Sequence, residues 1–165
     1  MKLFILIALL TGMGLLFGQS GQPAPELKFS ELAPQDKSRL DQQRALVTAA
    51  AKQRYGTPML TRTKKDLSIL QRLIDDKVFN SSQTYELQSL GVVFGDVLDN
   101  ELDLRWVMIT DEYGTDPTLR FKKTSININA LTMLSKRVER GQPVDVFSLL
   151  ETNRQALADA RKRSR

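Results

Sequence analysis

The chain has no cysteine and no histidine among its 165 residues. Without cysteine there is no disulfide framework, no thiol nucleophile, no thiol redox chemistry and no lipid attached through a first mature cysteine. Without histidine the commonest general base and the commonest metal ligand are missing. Together the two absences exclude zinc sites of the usual kind, haem held by His or Cys, and Ser-His-Asp triads. Asp, Glu, Lys, Tyr and Ser are the side chains left for any catalysis. Aromatic residues are also scarce, at 7% with a single Trp.

Long apolar runs are missing except at the start. Met1 and Lys2 give a short positive beginning, and Leu3–Phe17 is apolar apart from Thr11 and two glycines. Gly18-Gln19-Ser20 then supplies small residues at the spacing a signal peptidase reads, which completes the layout of an export signal. The run falls short of the roughly 17 residues a spanning helix needs. Gly12 and Gly14 weaken it further, by about 1 kcal/mol each relative to Ala. Residues 1–20 are therefore expected to be a signal peptide, with an uncleaved N-terminal anchor at residues 3–18 as the alternative. Either way the protein is expected outside the cytoplasm: periplasmic or secreted, or held on the inner membrane.

The chain as a whole is of ordinary globular composition, 41% hydrophobic and 26% charged. The small-residue stretch GQSGQPAP (Gly18–Pro25) runs into residues 21–35, which read as a flexible linker. Residues 36–160 read as a single α+β domain, and 161–165 as a basic tail. The helical spacing of Leu40, Val47 and Ala51 predicts a helix over 36–55, stopped by Gly56. Leu67, Leu70, Leu73 and Ile74 predict a second over 66–77, with Asp66 as its cap. The third, over 83–102, carries Leu87, Gly91, Phe94, Leu98 and Leu102 on one face, and Val92, Val93 and Val97 widen its apolar arc. A glycine in a helix costs stability, so Gly91 and Gly95 point to another element approaching the backbone there.

The period then shortens to that of strands. Residues 104–110, 118–122 and 125–129 predict a three-stranded antiparallel meander, with Asp111, Glu112 and Asp116 in the first loop as turn formers. Leu119 and Phe121 face one way, Arg120 and Lys122 the other. Two helices close the chain, over 131–140 and from 146 to about 160, the second burying Phe147, Leu150 and Leu157. The expected order is three helices, three strands, two helices, the segregated pattern of an α+β fold.

Several strings resemble the bacterial family known as domain of unknown function 3806. They are LGVVFGDVLDNEL (Leu90–Leu102), RWVMITDEYG (Arg105–Gly114), TLRF (Thr118–Phe121), LTMLSKRVERGQPVDV (Leu131–Val146) and, upstream, LDQQRALV (Leu40–Val47). The chain departs from the pattern at Asn129-Ala130. The resemblance implies an architecture and a bacterial origin, and carries no activity with it.

Candidate sites are sparse. Asp96, Asp99 and Asp103 fall at i, i+3 and i+7, but a helix face splays carboxylates outward, so a solvated face is expected and no metal site. No cofactor is expected. Ser135-Lys136 fails as a dyad because helix neighbours do not face each other. Trp106 is a core residue by its strand neighbours, or a pocket aromatic of the kind enriched at binding sites. The net charge of +5 has local sources. Arg120, Lys122, Lys136 and Arg137 form a candidate basic face, and with Trp106 they make the expected ligand- or partner-binding set. The expected function is a non-enzymatic cell-envelope binding module that takes a protein partner or an anionic envelope component, an immunity-type inhibitor being one form. Nucleic acid is not expected as a partner; contact with a membrane surface through the N-terminal segment or the basic tail is compatible with the pattern. The alternative is a cell-wall hydrolase working with Asp and Glu carboxylates.

Overall fold

The structure, a computed structural model, describes residues 27–56, 59–112 and 114–163. The expected export signal lies outside the described residues, as does the whole small-residue stretch Gly18–Pro25. Among the described residues no helix is long and apolar enough to cross a membrane.

The fold is α+β, with five α-helices and one four-stranded antiparallel sheet among the described residues. Chain order is β1 (Lys28–Ser30), α1 (Pro34–Tyr55), α2 (Leu67–Asp75), α3 (Thr84–Leu102), β2 (Leu104–Asp111), β3 (Gly114–Phe121), β4 (Asn127–Ile128), α4 (Ser135–Glu139) and α5 (Val146–Arg163). The expected three-strand count is corrected by β1, which lies inside the stretch read as linker and pairs with β2 through Phe29 opposite Ile109. Strand order across the sheet follows the chain.

The helix boundaries are also corrected. A 3-10 turn at Lys64–Asp66 precedes the second helix, which spans Leu67–Asp75 and not 66–77, and the Asp66 side chain makes no capping bond to it. Residues 131–134 form turns, so α4 is only five residues long. Phe147 is 47% exposed, while Val146, Leu150 and Leu157 face inward. The buried stripe runs Val146, Leu150, Asn153 and Leu157 at helical spacing and leaves Phe147 beside it, while Asp145 Oδ1 accepts from the N–H groups of Phe147 and Ser148, both at 3.0 Å, at the helix start. Asp116 belongs to β3 opposite Ile109 and not to a loop. The expected basic tail is helical through Arg163.

Helix α3 is the centre of the core. Val92, Phe94, Val97 and Leu98 are fully buried, because α1, α2 and α4 pack round the helix and β2 runs beneath it. Helix α1 presents Leu40, Gln43, Val47 and Ala51 to it at helical spacing. The sheet contributes Leu104, Trp106, Leu119 and Phe121 to the same core. Asp103, with φ of +54°, ends α3 in a left-handed turn and sends the chain directly into β2.

The two glycines of α3 mark close approach, as their cost implied. A Cβ on Gly91 would collide with the backbone carbonyl of Leu131, and one on Gly95 with the ring of Trp106. In an open helix Gly→Ala is stabilising by about 1 kcal/mol. Here Gly91→Ala is expected to destabilise by about 1–3 kcal/mol, since backbone cannot swing aside as a side chain can. Urea denaturation measures it, and a stabilised variant would place the 130–131 segment away from the helix.

Candidate functional site

The expected solvated face of α3 does not hold at Asp96, which is 5% exposed. A carboxylate so buried must be paired or neutral, and this one is paired three ways. Arg44 of α1 grips it with two parallel bonds, Nε to Oδ2 at 2.6 Å and Nη2 to Oδ1 at 2.7 Å. The indole N–H of Trp106 on β2 donates to Oδ1 at 3.0 Å. Arg62, from the loop before α2, brings its Nε to 3.9 Å from Oδ2. Arg44 also donates to Asp41 at 2.8 Å. Burial alone would lower the Arg44 pKa, but the bonds and charges of Asp96 and Asp41 outweigh it and hold the pKa above its usual value.

A second buried acid shapes the loop that carries Arg62. Asp66, 1% exposed, accepts from the N–H of Thr61 at 2.9 Å, the N–H of Arg62 at 2.7 Å and the hydroxyl of Thr61 at 2.8 Å. These bonds hold Arg62 at φ of +59°. Between Arg44, Thr48, Leu60, Arg62, Val93 and Asp96 lies a cavity of about 130 Å³. A cavity of this size has room for a few waters or a group about as large as benzene. Asp96 has both oxygens engaged, so the cluster orders three elements and offers no free base.

The other two carboxylates of the α3 series diverge from it. Asp99 is half-buried, and its carboxyl is raised above the ordinary range by burial first and the charge of Asp96 second, with Arg105, Arg44 and Arg62 opposing. Asp103 is exposed, 3.9 Å from Lys122 Nζ. Among the described residues no group of acids converges to hold a metal ion.

The expected basic residues fall into two clefts that share no lining residue. Arg120 and Lys122 line one of about 540 Å³, beside Arg105 and Lys123. Arg120 is partly committed: Nε donates to the carbonyl of Thr124 at 2.6 Å, and its guanidinium stacks 3.9 Å over the Phe29 ring. Lys136 and Arg137 line the other, of about 510 Å³, with Arg140 and the amides of Asn127, Asn129 and Asn153. Arg137 donates to the carbonyl of Met133 at 2.7 Å, whereas Lys136 and Arg140 are exposed. Trp106, the fifth candidate, is buried on the opposite face of the sheet from Arg120, against Gly95 and Asp96. Sequence reasoning missed the Arg44–Asp96 pair. Its one local signal was Asp96 beside Gly95, a charge set next to a position of close packing.

A family model described as domain of unknown function (DUF3806) matches residues 66–149. Asp96 and Trp106 fall inside that range and Arg44 outside it. No curated protein sequence matches the chain. Among solved structures, the crystal structure of a protein from Bacteroides thetaiotaomicron VPI-5482 is similar, with a TM-score of 0.70 at 18% identity over 82% of this chain and 49% of the other. The chain thus spans about half the length of that protein, and the likeness is one of fold.

The acids of α3 give two expected outcomes. Asp96→Asn removes the buried charge that two Arg44 nitrogens grip and leaves the half-buried Arg44 with only the exposed Asp41, so it is expected to cost about 1.5–3 kcal/mol in urea denaturation. Replacing the pair together, as Asp96→Leu with Arg44→Met, should recover much of that loss; equal losses for single and double variants would deny the pairing. Asp99 has the opposite sign. Its raised carboxyl holds a proton more tightly folded than unfolded, so its contribution favours the fold below the ordinary carboxylate range. That contribution is lost as pH rises through the raised value. Asp99→Asn cannot ionise, and should melt slightly above the parent at neutral pH, with the gap closing as pH falls below the ordinary carboxylate range.

Proposed function

On the premise that the chain belongs to the domain of unknown function (DUF3806) family, we propose that it is a non-enzymatic binding module of the cell envelope, taking an anionic group of a partner protein or envelope component. The observation that carries this reading is the cleft between β4, α4 and α5. Lys136, Arg137 and Arg140 line it, and its lining holds no carboxylate. Glu139, the acid nearest in sequence, is bonded instead to the Thr84 hydroxyl at 2.9 Å. Asn127, Asn129 and Asn153 add neutral donors, and Arg137 is held in place by Met133. Such a site can meet a carboxylate or phosphate with charge-assisted hydrogen bonds. The export layout of residues 1–20 supplies the location in this reading, periplasmic or membrane-anchored.

The hydrolase reading has one specific support, the raised carboxyl of Asp99. Its neighbour Asp96 has both oxygens bonded to Arg44 and Trp106, and so offers no second carboxylate for acid–base work.

Charge reversal at Lys136 and Arg140 tests the binding reading without touching the folded framework, because neither makes an ion pair within 4.0 Å among the described residues. The double variant K136E/R140E should keep its circular dichroism spectrum and lose less than about 1 kcal/mol of stability. It should no longer retain the component that the parent protein captures from envelope extract. Undiminished capture would move the binding surface elsewhere.

A further inference from the structure

We propose that Arg105 and Arg120 form a clamp for a terminal phosphoryl group on the outer face of the sheet. The register of β2 and β3 sets these two arginines directly opposite each other. Paired residues project from the same face, with Cβ atoms about 5 Å apart, and like charges so placed repel. The alternation of β2 and β3 puts both on the side away from Trp106 and Leu119. Among the described residues neither arginine has a carboxylate within 4.0 Å. Asp99 is within electrostatic reach of Arg105, but among the described residues no carboxylate bonds either arginine directly, so the two cations face each other without an acid bridging them.

The surroundings orient the pair. Arg120 has its Nε bonded to Thr124 and its plane stacked on Phe29, so rotation of the guanidinium is blocked and its terminal N–H groups remain for a ligand. Arg105 is exposed. Lys122 and Lys123 stand at the turn that ends β3, in the same cleft. The acids there are Glu31 and Asp103, and Asp103 is already 3.9 Å from Lys122.

The geometry selects among anions. A carboxylate has two oxygens in one plane and satisfies one guanidinium. A phosphate monoester has three free oxygens arranged tetrahedrally, so two edges can be gripped by two guanidinium forks at once. A phosphomonoester lipid headgroup and free inorganic phosphate share that chemistry. The clamp stands on the sheet register and on residues that the Lys136–Arg140 cleft does not use, so either site can fail without the other.

The full-length protein is melted in sodium phosphate and in sodium chloride of equal ionic strength, and its amide resonances are followed as phosphate is added. Phosphate is expected to raise the melting temperature beyond chloride, with shifts centred on residues 105, 120 and 122–124. Arg105→Gln relieves the repulsion, so it should melt above the parent in chloride while binding phosphate at least tenfold more weakly. Arg105→Lys keeps the charge but not the fork, and should also bind several-fold more weakly. K136E/R140E should respond to phosphate as the parent does. Flotation with phosphatidic acid vesicles, against phosphatidylcholine, separates the sources: vesicle binding that free phosphate cannot displace assigns the headgroup, and phosphate binding without flotation assigns the free anion. The clamp is overturned if phosphate does no more than chloride and the vesicles are ignored. It is equally overturned if Arg105→Gln responds like the parent, or if the shifts gather at Lys136 and Arg140.

Discussion

The carboxylate of Asp96 is the constraint on which the rest of the structure depends. It is a charge placed in the core, and the chain cannot leave it unsatisfied. Arg44 brings α1 to it, Trp106 brings β2, and Arg62 brings the loop before α2. Helix α3 itself supplies the carboxylate, so one side chain fixes the mutual placement of three other elements. A buried ion pair is weak evidence for extra stability, since an apolar pair of the same volume often does as well. Its value here is in direction: a guanidinium fork accepts one orientation of the carboxylate, where a leucine would accept many. Gly95 completes the arrangement. The same indole that bonds to Asp96 packs its ring edge on the bare backbone of the preceding residue.

Much of this architecture was legible from spacing. Leu40, Val47 and Ala51, or Leu67, Leu70 and Leu73, lie on faces that any helix would bury. The glycines of α3 were legible because a helix bears their cost only when something must come close. Asp96 was barely legible, because its partner on α1 lies 52 residues earlier and only its place beside Gly95 distinguishes it locally from Asp99 and Asp103. Strand β1 escaped for a related reason. Three residues carry no period of their own, and their order comes from the edge of β2.

The basic residues show the same divide. Alternation correctly put Arg120 on the face opposite Leu119. It could not say that Arg120 would bond to Thr124, or that the turns over 131–134 would carry Lys136 and Arg137 to a cleft of their own. Nor did composition single out Arg105, whose interest arises only when the register sets it against Arg120. Patterns within an element are written in the sequence around them. Juxtapositions between elements are written in the loops, whose paths depend on packing not yet formed when the sequence is read.

The passage from α3 to β2 through the single residue Asp103 sets a length that heredity cannot freely edit. Asp96 and Trp106 are ten positions apart, and their bond is made across that one turn. A strand alternates its faces with every residue, so one codon gained or lost between Leu102 and Leu104 exchanges the two sides of β2. The indole would turn to solvent, and the guanidinium of Arg105 would enter the core beside a glycine. Loops elsewhere can lengthen at a cost that grows only slowly with their length. In any lineage that keeps the Asp96–Trp106 bond, insertions and deletions should accumulate outside this interval, and the ten-residue span should persist as a ruler even where the residues along it have changed.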